Sequence, residues 1–357
     1  MKAIILAGGT GSRLRPITHT GPKQLIPVAN KPVLEYAIED LKNVEIREIG
    51  IVLGNSGCDE IQNLIGNGEE YGVDITYILQ GNPLGLAHAV GCARDFVDGE
   101  DFVMYLGDNI LKTGICDLVE SFRNNTYGAG IAIQKVENPH RFGIVEVDSD
   151  GNIIELIEKP SDPATNLALI GIYVFSPVVF DAIDRLEPSS RGELEITDAI
   201  QYILDDGYKI DTHIVTGWWK DTGKPEDILE ANRLILDDKN LEINGHIEDG
   251  AETYGRIELA DSSIIEGGAV VRGPVSIAKH TTIKAGAYVG PYTSIGPNSV
   301  LRNTHIENSV VIGDSTITAS GRIVDSLIGR HTNIKSSTNH LPEGRRLIVG
   351  ERSHLKL

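Results

Sequence analysis

The amino-acid sequence predicts an α/β domain with a mostly parallel sheet, followed by a parallel β-helix. Short apolar segments alternate with helical segments from Lys2 to about Leu236, which is the pattern of strands covered by helices. From about Ile243 onward, aliphatic residues recur at every sixth position instead. The length of 357 residues also favours about two domains. We place the boundary in the charged stretch 237–247.

The first half of the chain gives its elements in a regular order. Strands are predicted at Lys2–Ala7, Ile49–Leu53, Ile75–Gln80 and Phe102–Leu106, and helices at Val33–Leu41, Asp59–Ile65 and Leu86–Phe96. Sheets of this kind bind ligands at the carboxyl ends of their strands. The glycine-rich turn after Ala7 and the Gly107-Asp108 pair after Leu106 should both lie at that edge.

The second half of the chain repeats with a period of six residues. The repeated aliphatic positions are Ile265, Val271, Ile277, Ile283, Val289, Ile295 and Leu301, then, after a slip of one, Ile306 and Ile312, and finally Ile328 and Ile334. Neither a helix nor a simple strand has this period, whereas each coil of a β-helix buries one residue on each of three short faces. The alternative is an irregular, β-rich tail. The resulting domains are 1–236, 243–340 and a C-terminal tail, 341–357, that caps the β-helix or docks elsewhere.

Composition excludes several classes of function. The formal net charge is −19, so neither nucleic acid nor an anionic membrane is an expected partner. Cys58, Cys92 and Cys116 are too widely spaced for a disulfide framework or a zinc site, and are expected to be small buried apolar residues. The sequence shows no signal peptide and no run of the ~20 apolar residues that a membrane span needs. We therefore expect a cytoplasmic protein.

The glycine-rich turn, residues 8–13, is suited to binding phosphate. Glycine lets backbone N–H groups approach an anion closely. The turn lacks the Gly-Lys-Ser/Thr ending of a P-loop and the spacing of a dinucleotide fingerprint, and a tight strand-to-helix turn is the alternative reading. Arg13 on the turn and Lys23 beyond it add two cations. This combination favours a triphosphate ligand.

Asp108 follows a buried strand and is a candidate ligand for Mg²⁺, which typically takes one or two carboxylates together with phosphate oxygens and water. A turn or helix-capping aspartate is the alternative. Asp221, in Trp219-Lys220-Asp221-Thr222-Gly223, is the candidate for a second carboxylate. Sequence spacing alone does not pair the two.

Five ordered motifs resemble those of the sugar-nucleotide pyrophosphorylases. They are Gly8–Leu14 with Pro22-Lys23, Leu106–Asn109, Glu158-Lys159-Pro160, Arg191–Asp198 and Trp219–Gly223. Within that family the chain is most similar to the long form of the glucose-1-phosphate thymidylyltransferases, and the resemblance extends to residues 322–329. It implies a Rossmann-like nucleotidyltransferase domain followed by a left-handed parallel β-helix of hexapeptide repeats.

The resemblance also implies roles for particular residues. Nucleotide-binding residues would be Leu6, Gly8, Gly9, Gly11, Arg13, Lys23, Gln24, Gln80, Gly85 and Leu86. Residues that bind the sugar phosphate would be Asn109, Gly143, Glu158, Lys159 and Arg191. Arg13, Lys23, Lys159 and Arg191 would be catalytic, and Asp108 and Asp221 would bind Mg²⁺.

The implied reaction joins glucose 1-phosphate to dTTP, and UTP remains open. Gly85-Leu86-Ala87 looks like a pyrimidine reader, since adenylyl and guanylyl members usually have Gly-Thr-Ala there. Thymine and uracil differ by one methyl group, worth about 1 kcal/mol when buried. For the β-helix, an assembly or regulatory role is preferred. An added acyltransferase activity, using His280, His305 or His331, is the alternative. We also expect a homo-oligomer.

Overall fold

The computed structural model describes residues 1–148, 152–240 and 242–336. The expected C-terminal tail, 341–357, lies outside the described residues. The chain divides into two compact units between Ala231 and Asn232. Within the described ranges, no helix has the length and apolarity needed to cross a bilayer.

The first unit is built around a nine-stranded sheet with two small strand pairs beside it. Its strands are β1 (Lys2–Leu6), β2 (Pro27–Val28), β3 (Lys31–Pro32), β4 (Glu48–Leu53), β5 (Asp74–Leu79), β6 (Phe102–Leu106), β7 (Asn109–Leu111), β8 (Ala129–Lys135), β9 (Gly143–Val147), β10 (Ile153–Glu158), β11 (Leu167–Phe175), β12 (Ile210–Ile214) and β13 (Trp219–Asp221).

Helices alternate with these strands along the chain. They are α1 (Val33–Asn43), α2 (Cys58–Ile65), α3 (Leu86–Cys92), α4 (Arg94–Val97), α5 (Cys116–Arg123), α6 (Val178–Ile183), α7 (Ile196–Asp205) and α8 (Pro225–Asp238). Single 3₁₀ turns occupy Ser12–Leu14, Ile17–His19, Lys23–Leu25, Glu69–Tyr71 and Pro139–Arg141.

The large sheet is mixed. Its order is β10-β9-β11-β6-β1-β4-β5, and β8 pairs with both β11 and β12. The strands predicted from sequence, β1, β4, β5 and β6, are parallel to one another. In contrast, β11 runs antiparallel to β6, β8 and β9. The continuous apolar segment Leu167–Phe175 marks a strand buried on both faces, but this pattern carries no information about strand direction.

Helices cover both faces of the sheet. Along β1, Ala3 and Ile5 join one apolar cluster, whereas Ile4 and Leu6 join the other. Successive strand residues point to opposite faces, so this alternation shows that β1 is buried on both sides. The carboxyl end of β1 is therefore the part of the strand from which the chain can reach a ligand.

Helix α1 carries an unusual buried acid. Asp40 accepts a hydrogen bond from the hydroxyl group of Tyr105 at 2.8 Å, and Tyr105 is completely buried in the sheet. Burial raises the pKa of Asp40 to about 6, although the hydrogen bond from Tyr105 acts in the opposite direction. The folded protein therefore holds a proton on Asp40 at pH values where the unfolded chain has lost it.

Replacing Asp40 by Asn should remove a pH-dependent penalty on folding. Because the folded-state pKa of Asp40 is raised, ionisation of this group lowers the stability of the wild type as the pH rises from about 4 to about 6. Asn cannot ionise, but its side-chain oxygen can still accept the hydrogen bond from Tyr105. We expect Asp40→Asn to gain about 2 kcal/mol relative to wild type between pH 4.5 and pH 7.5. Urea unfolding at both pH values measures this gain. The exposed-site control Asp74→Asn should show none, and an equal difference at both pH values for Asp40→Asn would contradict the account.

The second unit contains three stacked parallel sheets. One consists of β14 (His246–Ile247), β17 (Ile264–Ile265), β20 (Thr282–Ile283), β23 (Val300–Leu301), β26 (Thr316–Thr318) and β29 (Asn333–Lys335). The second consists of β15 (Glu252–Tyr254), β18 (Val270–Arg272), β21 (Tyr288–Val289), β24 (His305–Glu307) and β27 (Arg322–Val324). The third consists of β16 (Ile257–Leu259), β19 (Val275–Ile277), β22 (Thr293–Ile295), β25 (Val310–Val311) and β28 (Leu327–Ile328). These sheets form the predicted β-helix, with three short strands per coil, and the hexapeptide spacing is that of the left-handed type.

The repeated aliphatic residues from Ile265 to Leu301 are all completely buried, as predicted. One assignment within the repeat differs. Val311, not Ile312, continues the ladder, because Ile295 pairs with Val311 and Val311 with Ile328. The coil between them is shorter than the usual 18 residues, and Ile312 is buried beside the ladder.

At many of the repeats, a second buried position lies two residues before the aliphatic one and holds a small side chain. Ser263, Thr281 and Ser299 are examples, all completely buried. Ser263 Oγ donates to the Ala278 carbonyl at 2.6 Å and accepts from the Thr281 N–H at 3.3 Å. These hydroxyl groups satisfy backbone groups at the turns between successive coils, where an apolar side chain could not.

Candidate active site

A short antiparallel pair of strands holds the two candidate metal ligands together. Strand β13 pairs with β7, and Asp221 lies opposite Asn109 in the register. The next residue, Thr222, is completely buried. Its N–H and its hydroxyl group both donate to the carbonyl oxygen of Asp108, at 3.0 and 2.7 Å. Asp108 and Asp221, which are distant in sequence, are thus neighbours at the edge of the sheet.

The two carboxylates lie in a strongly charged environment. Burial, together with the negative charge of Asp108, raises the pKa of Asp221 to about 6, although Lys23 and Arg13 act in the opposite direction. Lys23 forms an ion pair with Asp108 through Nζ and Oδ2. The guanidinium group of Arg13 lies so close to Gly223 that a Cβ there would come within 2.7 Å of Nη2. Two carboxylate side chains and two cationic side chains therefore lie together at this end of β13.

This arrangement fits a divalent cation that is shared with a substrate. Two neighbouring carboxylates repel each other, and a cation between them would relieve that repulsion. Within the described part of the chain, no group of three or more His, Cys, Asp or Glu side chains could hold a metal ion. Mg²⁺ suits such a site because it often takes one or two carboxylates and completes its shell with phosphate oxygens and water.

The glycine-rich turn lies beside these charges, as predicted. Gly11 has a left-handed backbone (φ 60°) and precedes the 3₁₀ turn that carries Arg13. A Cβ on Gly9 would come within 3.0 Å of Lys23 Cε, and one on Gly8 within 3.1 Å of Gly54 N. The turn is thus closely packed against its neighbours and follows Leu6 at the end of β1. The predicted nucleotide residue Gln24 is also nearby in the chain, with its side chain buried.

The residues predicted to read the base also meet. The Gln80 side-chain amide donates to the Gly85 carbonyl at 3.1 Å. Gly85 has φ 113° and packs so closely on Leu194 that a Cβ would lie 2.4 Å from the Leu194 carbonyl oxygen. Leu86 begins helix α3 directly after it.

A cavity of about 310 Å³ opens next to the two carboxylates. Seven of the predicted site residues line it: Arg13, Leu86, Asn109, Gly143, Glu158, Lys159 and Asp221. The prediction missed other lining residues: Leu106, Arg141, Phe142, Leu169, Ile170, Gly171, Tyr173, Ile196, Thr197 and Trp219. Leu106, Ile196, Thr197 and Trp219 fall inside motifs that the sequence did offer. Arg141 and Tyr173 carry no comparable signal.

Glu158 is the centre of the polar network in this cavity. It accepts from the Thr197 hydroxyl at 2.7 Å and forms ion pairs with Lys159 and Arg191, each at 3.0 Å. Arg191 also pairs with Glu193 at 2.6 Å. Lys159 has a left-handed backbone (φ 44°). This conformation is unfavourable for a residue other than glycine, and such strained residues are concentrated at functional sites.

The three histidines considered for acyl transfer lie on the exposed surface of the β-helix. His280 and His331 occupy turns with a left-handed backbone, and His305 stacks edge-on against Tyr288 at 5.8 Å. None of them has a hydrogen-bonded acid partner among the residues that the structure describes. Their use as catalytic bases stays an untested alternative.

Residues 2–238 match the family model described as nucleotidyl transferase. The chain belongs to the nucleotidyl transferase family. Residues 271–355 match a second model, the GMPPB C-terminal domain. This nucleotidyltransferase is 71% identical to the low-salt glycan biosynthesis nucleotidyltransferase Agl11 of Haloferax volcanii, over all of both chains.

Two further relatives agree with this assignment. A glucose-1-phosphate thymidylyltransferase of Streptomyces antibioticus is 42% identical over 100% of this chain and 99% of its own. A solved structure assigned as a glucose-1-phosphate thymidylyltransferase of Bacillus anthracis, in complex with a sucrose, is 41% identical. It covers 68% of this chain and 97% of its own, with a TM-score of 0.63. The protein is therefore an enzyme that makes sugar nucleotides.

Adding one methyl group at Gly143 should damage the cavity of this nucleotidyltransferase. A Cβ there would lie 2.7 Å from Thr197 Oγ1, 2.9 Å from Leu169 Cδ1 and 3.1 Å from Glu158 Oε2, so Gly143→Ala must displace the Thr197 hydroxyl that donates to Glu158. We expect KM for the sugar 1-phosphate to rise about tenfold or more, since overpacking typically costs ~1–3 kcal/mol. Initial rates at varied sugar phosphate measure it.

Gly91→Ala is the matched control, because its Cβ would meet only Ile183 at an ordinary 3.6 Å. It should keep the wild-type KM. A wild-type KM in folded Gly143→Ala would show that the sugar phosphate does not bind beside Glu158.

Proposed function

We propose that the protein transfers a thymidylyl group from dTTP to glucose 1-phosphate, giving dTDP-glucose and pyrophosphate. The observation that carries the proposal is the position of Asp108 and Asp221, which lie beside Arg13 and Lys23, with Asp221 lining the cavity of Glu158. The name of the Streptomyces relative supports both the nucleotide and the sugar.

The chemistry requires no general base. A phosphate oxygen of glucose 1-phosphate is already an anion at pH 7, and it attacks the α-phosphorus of dTTP. The bond from the α-phosphorus to the bridging oxygen breaks, and pyrophosphate leaves with that electron pair from the opposite side. The main barrier is the repulsion between two polyanions, so the catalyst must supply positive charge and an in-line geometry.

The chain supplies that charge on both sides of the reacting phosphorus. Arg13 and Lys23 would neutralise the triphosphate, together with N–H groups of the glycine-rich turn. Lys159 would hold the sugar phosphate. Arg191 would support it through Glu158, to which it is already paired.

The remaining predicted residues would orient the two substrates. Leu6, Gln24, Gln80, Gly85 and Leu86 would bind the nucleoside, and Asn109, Gly143 and Glu158 would bind sugar hydroxyl groups. Asp108 and Asp221 would hold Mg²⁺, which when bound neutralises phosphate charge as a Lewis acid.

The product and the assembly are also part of the proposal. The name of the Haloferax relative associates that protein with glycan biosynthesis, so we propose that the sugar nucleotide made here serves glycan assembly. The β-helix would act as an assembly or regulatory module in a cytoplasmic homo-oligomer.

Pyrophosphate release with glucose 1-phosphate and Mg²⁺, compared for dTTP, UTP, ATP and GTP, tests the proposal. Preference for dTTP is the expected result. Equal or better use of UTP would keep the mechanism and change the nucleotide, since one buried methyl group contributes only about 1 kcal/mol. Release with none of the four would refute the proposal and make acyl transfer the next assay.

Asp108→Asn and Lys159→Ala should each lower kcat about 100-fold or more, which is the usual effect of removing one preorganised charge from an active site. Stopped-flow or coupled pyrophosphate assays at saturating substrates measure this loss. Lys135→Ala, which removes an exposed lysine at the end of β8, is the control and should keep wild-type turnover. Near-wild-type turnover in either active-site variant would sink the assignment of these residues.

A further inference from the structure

We propose that His88 is a positioning residue that fixes the side-chain amide of Gln80, so that Gln80 offers only its oxygen atom to the nucleotide base. The inference rests on the proposed use of a pyrimidine nucleotide and adds a residue that selects the base. His88 itself need not touch the base, because its effect passes through Gln80.

Both N–H groups of the Gln80 amide are occupied by protein acceptors. Nε2 lies 3.1 Å from the Gly85 carbonyl oxygen and 3.3 Å from His88 Nδ1. The amide oxygen points elsewhere: a Cβ on Gly8 would come within 3.0 Å of Gln80 Oε1. Gly8 belongs to the glycine-rich turn, so Gln80 Oε1 faces the region in which the nucleotide would lie. Among the residues that the structure describes, Oε1 has no hydrogen-bond donor of its own.

The two acceptors determine which way the amide points. The Gly85 carbonyl can only accept, so it requires the NH₂ group on its side, and His88 Nδ1 must then accept as well. His88 can do this only as the neutral tautomer with its proton on Nε2. If the amide turned by 180°, its oxygen would face the Gly85 carbonyl and that hydrogen bond would be lost, and His88 would have to move its proton from Nε2 to Nδ1 to keep the other.

His88 is held rigidly enough to act in this way. It lies half-buried in α3, between the buried residues Ala87 and Ala89. The Ala87 N–H donates to the Leu194 carbonyl at 3.1 Å, and the Ala89 N–H donates to Gly85 at 3.2 Å. The Sγ atom of Cys92, one turn further along the helix, lies 4.0 Å from His88 Nδ1. The first turn of α3 therefore places the imidazole and the Gly85 carbonyl together.

An acceptor-only Gln80 selects for an N–H group on the base. Thymine and uracil present N3–H, whereas cytosine has an unprotonated acceptor at N3. Without the hydrogen bond to His88, only Gly85 opposes rotation of the amide, and the rotated amide would offer N–H groups instead. His88 would thus favour bases with N3–H over bases that lack it.

The experiment compares His88→Leu, which removes the acceptor, with His88→Asn, whose Oδ1 can replace Nδ1. Affinity for dTTP and for N3-methyl-dTTP, which lacks the N3–H donor, is measured by calorimetry, and KM and kcat are measured with dTTP. We expect His88→Leu to reduce the preference for dTTP over the methylated analogue about five- to tenfold, the scale of one neutral hydrogen bond. The loss should fall on KM rather than kcat, and His88→Asn should restore most of it.

A double-mutant cycle with Gln80→Met separates positioning from direct contact. If His88 acts through Gln80, His88→Leu should have no further effect on the nucleotide preference in the Gln80→Met background. The control His213→Leu makes the same change on strand β12 and should leave the preference unaltered. An unchanged preference in folded His88→Leu, or an equal loss in both backgrounds, would overturn the inference.

These outcomes are distinguishable from failure of the proposed function. If wild type turns over none of the four triphosphates, the proposed function fails, whatever the His88 variants do. If wild type prefers dTTP and His88→Leu keeps that preference, only the inference about His88 fails.

Discussion

The pairing of β13 with β7 is the constraint on which the active site depends. Strand β7 follows directly after the β6 turn that carries Asp108, and β13 ends at Asp221. The two hydrogen bonds from Thr222 to the Asp108 carbonyl fix the distance between them. Placing two carboxylates together is unfavourable unless positive charge compensates them. Lys23, which is paired with Asp108, and Arg13 supply part of that charge, and a bound cation would supply more.

Local charge resolves the contrast between an acidic protein and its anionic substrates. The chain as a whole has a formal net charge of −19. Around one edge of the sheet, however, lie four cationic side chains, those of Arg13, Lys23, Lys159 and Arg191. Several are already paired with acids, Lys23 with Asp108 and both Lys159 and Arg191 with Glu158. These pairs preorganise the cations, so that less conformational entropy is lost when phosphate binds. The glycine-rich turn and Gly143 leave the space that this packing requires.

The sequence alone was enough for the elements with a regular period. The parallel strands β1, β4, β5 and β6 and the repeat up to Leu301 follow from local patterns. The pairing of Asp108 with Asp221 does not, because it depends on a strand pair between segments remote in sequence, and only the family resemblance suggested it. The antiparallel direction of β11 was likewise hidden, since an apolar segment looks the same in either direction. Val311 occupies the ladder position predicted for Ile312, because one coil is shorter than the others. The six-residue period alone does not show which of two adjacent aliphatic residues points into the β-helix. Arg141, Tyr173 and His88 had no pattern of their own and needed three-dimensional contacts.

The central claim is that Asp108 and Asp221 form one cation site with the nucleotide phosphates. The most direct measurement is Mn²⁺ binding in the presence of dTTP, followed by electron paramagnetic resonance, in wild type, Asp221→Asn and Asp227→Asn. Asp227 lies near Asp221 and is the matched control. The account predicts one tight Mn²⁺ in wild type and in Asp227→Asn, with affinity at least about tenfold weaker in Asp221→Asn, since even a supporting ligand contact contributes that much. Equal Mn²⁺ affinity in wild type and Asp221→Asn would contradict it.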